Sequence, residues 1–138
     1  MKTVKFLALA VALAIGVSTA HPATRDIYPD PGHAKADLAT KLTTMHCELA
    51  GVPRNWVHIV FHEYPPGCGF TGGERAATVG LTLLIRTGRS PEYKRTLLQR
   101  LWELLQQATD APDDQIVIGV QEVPASQAME LGKIMPDV

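Results

Sequence analysis

Two arginines three residues apart carry the strongest chemical signal in this sequence. Arg86 and Arg89 lie on either side of Gly88, and the Ser90-Pro91 pair that follows them is typical of the first turn of a helix. A guanidinium group binds a carboxylate through two parallel hydrogen bonds, and the amino-terminal end of a helix adds positive potential. This pattern favours a carboxylate-binding site over two solvated surface arginines.

The histidines offer acid–base chemistry, but their spacing does not predict a metal site. His46 lies on a predicted helix beside its apolar stripe, and an ordinary histidine pKa of about 6.5 would suit a general base. A lone histidine on a helix is, however, more often a structural residue at the edge of the core. His58 and His62 are four residues apart on a predicted strand, roughly 13 Å, which is too far to chelate one ion. The sequence implies neither a metal nor an organic cofactor.

The elements that must position these residues form an internal repeat. Residues 50–65 and 109–124 align without a gap, so that Pro53 meets Pro112 and Glu63 meets Glu122. In both segments apolar residues alternate with other residues, which is the pattern of a strand with one buried face. We therefore predict two equivalent strands, whose Glu63 and Glu122 would serve turns or salt bridges rather than catalysis.

A helix precedes each of these strands, and a further strand precedes each helix. The first helix has apolar residues at positions 38, 42, 45 and 49, and the second at positions 97, 101, 104, 105 and 108. The strand before the second helix is predicted at Val79 to Ile85. The strand before the first helix has a weaker pattern and is predicted at Ala23 to Tyr28.

These elements predict an α/β (α+β) fold of two tandem β-α-β units, joined by a glycine-rich link at residues 67–73. Right-handed crossovers would make the two strands of each unit parallel, giving a four-stranded sheet with both helices on one face. No predicted helix remains for the other face. We therefore expect that face to pack against other subunits.

The first twenty residues are predicted to be a secretory signal peptide, which leaves a single domain at residues 21–138. Lys2 and Lys5 precede an apolar run from Phe6 to Val17, and the small residues from Ser18 to Ala20 offer a cleavage site. The run is short for a membrane span, so an uncleaved anchor is the weaker alternative. The protein is accordingly expected to be extracellular, with no membrane association after cleavage.

The composition fits a globular domain and excludes a nucleic-acid-binding protein. The chain has 138 residues, of which 46% are hydrophobic, and a formal net charge of −1. That charge provides no electrostatic attraction to nucleic acid. Secretion would permit a disulfide between Cys47 and Cys68, although two independent thiols are slightly favoured.

Four motifs occur in order along the chain. They are Phe61-His-Glu-Tyr-Pro65 with a later Gly72-Gly73, Arg86-Thr-Gly-Arg-Ser90, Glu122-Val-Pro-Ala125 and Met129-Glu-Leu-Gly132. Together they resemble the cis-chloroacrylic acid dehalogenase branch of the tautomerase superfamily, from about residue 32 to the end of the chain. The resemblance implies the tandem β-α-β fold, associated as a homotrimer, and a small-molecule carboxylate substrate.

The resemblance also implies roles for particular residues. Arg86 and Arg89 occupy the positions of two arginines that bind the substrate carboxylate. His46 and Glu130 occupy the positions of a histidine and a glutamate that help to activate water. The position of an assisting tyrosine is taken by Gly119, which departs from the dehalogenase pattern.

The chemistry of this superfamily centres on an amino-terminal proline with a free secondary amine. Pro22 is the candidate here, as the proline near the start of the predicted first strand. Cleavage after Ala20 would leave His21 in front of Pro22, and the proline nitrogen would then be a non-basic amide. The proposed chemistry therefore requires that His21 is also removed.

These observations predict a tautomerase-like, cofactor-independent enzyme that acts on a small enolisable or unsaturated carboxylate. Keto–enol tautomerisation needs the fewest groups, and hydration or dehalogenation are further reactions that the resemblance allows. The alternative is a secreted binding or signalling protein that retains the fold without the chemistry.

Overall fold

The structure is a computed structural model that describes residues 9–15, 31–65, 67–130 and 132–135. The elements in chain order are β1 Leu9–Ile15, α1 Pro31–Ala50, β2 Val57–His62, β3 Phe70–Thr71, β4 Glu74–Arg75, β5 Val79–Arg86, α2 Pro91–Thr109, β6 Ile116–Val123, β7 Met129–Glu130 and β8 Lys133–Ile134. The two-residue strands form small hairpins, β3 with β4 and β7 with β8. The four longer strands form the central sheet.

The central sheet has the strand order β2-β1-β5-β6. β1 is parallel to β2, β5 is parallel to β6, and the two inner strands β1 and β5 are antiparallel. Each parallel pair is connected through a helix, α1 in the first unit and α2 in the second. The predicted fold of two tandem β-α-β units is therefore confirmed.

The first strand of the sheet differs from the expected one. The predicted strand at residues 23–28 lies outside the described residues, and the strand paired with β2 and β5 is Leu9–Ile15. That segment comes from the apolar run that the sequence assigns to a signal peptide. A run of Leu, Ala, Val and Ile suits both, because an inner strand of a covered sheet is also continuously apolar. Cleavage of residues 1–20 therefore stays a prediction.

Both helices pack on one face of the sheet. The predicted apolar stripes lie in a single core, in which Leu38 and Leu42 of α1 and Leu97, Leu101 and Leu105 of α2 are buried. On β5 the inward residues, including Leu81 and Leu83, are buried as well. These contacts confirm that the 3.6-residue spacing of the two stripes reports the inner surface of each helix.

The opposite face of the sheet is exposed in the single chain. On β2 exposed positions alternate with partly buried ones, and Val60 remains 53% exposed. On β6 Val117 is 62% exposed, and on β5 Thr82 is also exposed. We call this surface, formed by Val60, Thr82 and Val117, the outer sheet face. No helix among the described elements covers the outer sheet face.

The internal repeat extends to individual contacts. Pro112 follows Pro53 by 59 residues, and the same offset relates two salt bridges. Lys35 lies 2.7 Å from Glu63, and Lys94 lies 3.1 Å from Glu122. Each pair joins the first turns of a helix to the end of the following strand or the residue just after it, which confirms that the two glutamates serve salt bridges.

The ends of the two helices match in the same way. Gly51, with a φ of 68°, follows α1, and Asp110, with a φ of 52°, follows α2. Both residues donate a backbone hydrogen bond of 2.9 Å to the carbonyl four residues earlier. This left-handed cap ends each helix and turns the chain toward the proline that precedes the next strand.

Two smaller expectations can be compared with the structure. Cys47 and Cys68 are both free, which confirms the preference for two independent thiols. Within the described residues, no helix has the length and apolar composition needed to cross a membrane.

Candidate active site

Arg86 is the last residue of β5 and is almost completely buried. Its relative exposure is 2%, and none of its three side-chain nitrogens has a hydrogen-bond partner in the described part of the chain. A buried cation without a partner is unfavourable unless something else binds it. This unpaired, buried guanidinium at the end of a strand is what an anion-binding site would require, and the role of Arg86 stays a prediction.

Arg89 follows in the short connection between β5 and α2. Gly88, with a φ of 97°, permits the left-handed turn that places it there. Ser90 then caps the helix, since its hydroxyl accepts a hydrogen bond of 3.1 Å from the backbone N–H of Tyr93. The guanidinium carbon of Arg89 lies 4.6 Å from the centre of the Tyr93 ring.

His46 lies on α1 at a fully apolar position. It is 2% exposed, and neither ring nitrogen has a hydrogen-bond partner among the described residues. Burial, and after it the positive charge of Arg89, lower the pKa of His46 to about 4. The imidazole is therefore neutral at pH 7, and it is a weaker base than the ordinary value of 6.5 led us to expect.

Glu130 and Arg86 line the same cleft. Its volume is about 420 Å³, and its walls are mainly apolar, with contributions from Trp56, Leu84, Val123 and Met129. β7 carries Glu130 into the wall through the hairpin that β7 forms with β8. A cationic group and an acidic group thus face one cavity whose remaining lining favours a partly apolar molecule.

His58 also lines this cleft, although its spacing from His62 gave no reason to assign it to a site. Exposed positions alternate along β2, so His58 lies on the outer sheet face at the end that meets the cleft. The signal available in the sequence was its place at the start of the strand, close to Trp56. Within the described residues, no three histidine, cysteine or acidic side chains lie close enough to hold a metal ion.

The structure brings the predicted residues together in two linked groups. Arg86 and Glu130 share the cleft, and the charge of Arg89 acts on His46. Pro22 lies outside the described residues. Gly119 lies exposed on β6, and an added Cβ would meet no atom within 4 Å.

The start of β1 lies at the same edge of the sheet as Arg86. β1 and β5 are antiparallel, with Ala10 opposite Leu84. The amino-terminal end of β1 and the carboxyl end of β5, where Arg86 lies, therefore meet at the same edge of the sheet.

A comparison with protein families decides the relationship. The family model Tautomerase_3, described as "Putative oxalocrotonate tautomerase enzyme", matches residues 26–138. The chain belongs to this family. The match includes every described element of this tautomerase-family protein except β1. No curated protein matches the chain.

Solved structures agree with the family. The native structure of Ps01740 is 26% identical, with a TM-score of 0.73 over 88% of this chain and 99% of that chain. N1, described as a member of the cis-3-chloroacrylic acid dehalogenase family, is 26% identical, with a TM-score of 0.74 over 93% and 84%. The fused 4-OT described as a symmetric trimer is 17% identical, with a TM-score of 0.75 over 91% and 94%. The predicted fold and the predicted branch of this tautomerase-family protein are confirmed.

One residue of this region was missed in the sequence. Tyr93 lies in the first turn of α2, and its hydroxyl oxygen is buried without a hydrogen-bond partner in the described part of the chain. Burial raises the pKa of Tyr93, while the charge of Arg89 opposes that shift. The available signal was the four-residue spacing from Arg89, which allows a side chain before a helix to meet one in its first turn.

Proposed function

We propose that this tautomerase-family protein is an enzyme that catalyses keto–enol tautomerisation of a small carboxylate. The observation that carries the proposal is the buried, unpartnered guanidinium of Arg86 in a cleft that also contains Glu130. Hydration or dehalogenation of an unsaturated carboxylate is a finer alternative within the same proposal. The family and the neighbouring N1 structure support this class of reaction.

Arg86 and Arg89 would hold the substrate carboxylate. A carboxylate accepts two parallel hydrogen bonds from one guanidinium, and the burial of Arg86 makes such a bond stronger than it would be in water. The apolar walls of the cleft would contact the rest of the substrate. Binding would also draw electron density toward the carboxylate end, which favours proton loss from the adjacent carbon.

Pro22 would transfer the proton. In this step its free secondary amine takes the proton from the enol oxygen and then delivers that proton to the carbon. The O–H electron pair forms the C=O π bond of the ketone, and the C=C π electrons form the new C–H bond. Residues after Pro22 would take the place of the first strand once the preceding residues have been removed. The antiparallel register of β1 and β5 would then direct the amine toward Arg86.

Nearby positive charge and burial would lower the pKa of that amine, leaving more free base at neutral pH. His46, which is neutral at pH 7, would act as a hydrogen-bonding group rather than a cation. In a hydration reaction Glu130 and His46 would orient the attacking water. Tautomerisation requires neither this water nor the tyrosine that Gly119 replaces.

The proposal includes secretion and a trimer. The apolar run before Ser18 supports cleavage of residues 1–20, and extracellular localisation follows from it. The exposed outer sheet face, with Val60 and Val117, supports burial against other copies of the chain. The symmetric trimer of the fused 4-OT supports three as the number of copies. Sedimentation of the secreted protein at micromolar concentration should give a trimer, and a stable monomer would contradict this part.

The decisive experiment compares two forms of the chain, one beginning at Pro22 and the other at His21. Ketonisation of an arylpyruvate enol is followed by absorbance. The Pro22 form should be faster by at least about 100-fold, because only its proline nitrogen is basic. Amino-terminal sequencing of the secreted protein identifies which form occurs naturally.

Two results would count against the proposal. Equal rates from the two forms would show that Pro22 is not the proton-transfer group. Tight carboxylate binding without turnover by either form would instead support the binding or signalling protein that retains only the fold.

A further inference from the structure

Arg89 is half-buried and contacts an aromatic ring rather than an acidic side chain. Its guanidinium group lies over the ring of Tyr93 at 4.6 Å. Neither Arg89 nor Arg86 forms a salt bridge with an acidic residue in the described part of the chain. The contact with an aromatic face attracts the cation without using its N–H groups, which lie in the guanidinium plane.

This difference matters for anion binding. An arginine held by a carboxylate spends its N–H groups and its charge on that partner, whereas an arginine held by a ring keeps all of them for a ligand. Tyr93 itself is fixed by the capped first turn of α2, because its backbone N–H donates to the Ser90 hydroxyl. The ring therefore offers a defined support for Arg89.

The hydroxyl of Tyr93 provides a second, independent observation. It is buried without a partner, and buried polar groups in folded proteins are normally hydrogen-bonded. Burial raises the pKa of Tyr93, so the phenol stays protonated and can donate a hydrogen bond. Gly119 offers no hydroxyl on β6, which leaves Tyr93 as the phenol that lies next to the charge of Arg89.

We infer that Tyr93 serves the anion site in two ways. As a positioning residue, it orients Arg89 through its ring and leaves the guanidinium N–H groups free. As a binding residue, it donates a hydrogen bond from its buried hydroxyl to the bound carboxylate. The ligand class is a carboxylate attached to an apolar group, because Arg86, the other arginine of the clamp, lines a cleft with mainly apolar walls. The inference rests on the proposed carboxylate clamp, but not on turnover.

The test measures binding of phenylacetate to the full chain, with its methyl ester as the uncharged control. Tyr93→Leu removes both the ring and the hydroxyl and should weaken phenylacetate binding by about 30-fold to 100-fold, because a loss of about tenfold for a partly desolvated cation–π contact is multiplied by the loss of the hydroxyl donor. Tyr93→Phe keeps the ring and should weaken binding by about threefold to tenfold through loss of the hydroxyl donor. Binding of the methyl ester should be the same in all three proteins.

A double-mutant cycle separates positioning from a general structural effect. If the Tyr93 ring acts through Arg89, the loss of phenylacetate binding in Tyr93→Leu beyond that in Tyr93→Phe should be much smaller in an Arg89→Ala background than with Arg89 present. Tyr64→Phe is the matched control, because the Tyr64 hydroxyl donates to the Thr78 carbonyl at 2.9 Å in another part of the chain. It should leave phenylacetate binding unchanged. Thermal melts of every variant report whether each is folded.

The outcomes are distinct. Equal losses for phenylacetate and its methyl ester, or the same difference in binding between Tyr93→Leu and Tyr93→Phe with and without Arg89, would overturn the positioning role. Wild-type binding in Tyr93→Phe would overturn the role of the hydroxyl. Failure of the wild type to bind phenylacetate would overturn the inference together with the clamp. Phenylacetate binding that depends on Tyr93, in a protein without tautomerase turnover, would support the inference while the proposed reaction fails.

Discussion

The second β-α-β unit connects its strand to its helix through four residues, 87–90, whereas the first connects β1 to α1 through residues 16–30. The short connection holds Arg89 between the end of β5 and the first turn of α2, three residues after Arg86. The first unit contributes a different candidate site residue, His46, near the carboxyl end of α1. Two units with one fold thus contribute different parts of one candidate site.

The internal repeat pairs His46 of the first unit with a core residue of the second unit. The offset of 59 residues that relates Pro53 to Pro112 also relates His46 to Leu105. Leu105 is completely buried in the core, and His46 is 2% exposed. A histidine therefore occupies a leucine position of the repeat, where both ring nitrogens lack a partner among the described residues. Such a residue costs stability, and a local departure of this kind is typical of functional positions.

Exchanging these two residue types should give the largest effect. Leu105→His should lower the free energy of unfolding by on the order of 3–5 kcal/mol, because it removes buried apolar volume and buries an imidazole. His46→Leu should raise stability by about 1–3 kcal/mol while impairing turnover. Urea denaturation measures both changes. Loss of stability in His46→Leu would show that the two positions are not equivalent.

The arginines of the second unit should give the next largest effect, on activity. Arg86→Ala and Arg89→Ala should each cost about 1.5–3 kcal/mol of transition-state binding for a carboxylate substrate, or roughly tenfold to 100-fold in kcat/KM. Arg100→Ala, which removes an exposed arginine from α2, is the matched control and should have no effect. If the folded Arg86 and Arg89 variants retain full activity, the anion site does not lie in this connection.

A change of pH should expose the cost of His46 in the first unit. The unfolded histidine binds a proton below a pH of about 6.5, whereas the folded one does so only near its pKa of about 4. Stability is therefore complete above pH 6.5 and falls as the pH decreases toward 4. Between pH 7.5 and 5.5 the loss should be about 1.4 kcal/mol. His46→Leu should show a smaller loss by this amount in urea denaturation, and an unchanged pH dependence would contradict burial of a neutral imidazole.

The fold was predictable from the sequence wherever a hydrophobic pattern fitted only one kind of element. Alternation along β2 and β6 and the stripes of α1 and α2 each match the observed burial. The first strand was different, because an apolar run fits a signal peptide and an inner strand equally well. The repeat offset would place a counterpart of Val79–Arg86 at residues 20–27, close to the predicted strand, whereas the sheet contains Leu9–Ile15.

The site was predictable only in part, for reasons that lie in individual residues. Arg86 and Arg89 were marked by their spacing before a helix cap. The lowered pKa of His46 could not be predicted from the sequence. The sequence places His46 beside the apolar stripe, and its burial emerges only when α1 packs on the sheet. The spacing of Tyr93 from Arg89 indicates that the two side chains can meet, but the burial of its hydroxyl emerges only in the folded chain.

The smallest expected difference lies between the two repeated salt bridges. Lys35–Glu63 has side-chain exposures of 37% and 54%, and Lys94–Glu122 has 33% and 34%. Exposed ion pairs contribute at most about 1 kcal/mol, and the better shielded pair loses less to solvent and salt. Lys94→Met should therefore lower the free energy of unfolding by a few tenths of a kcal/mol more than Lys35→Met, a gap that narrows as salt is added. Urea denaturation at low and high salt measures this, and a larger effect at Lys35 would show that the first unit, despite its long connection, relies more on its repeat contact than the second.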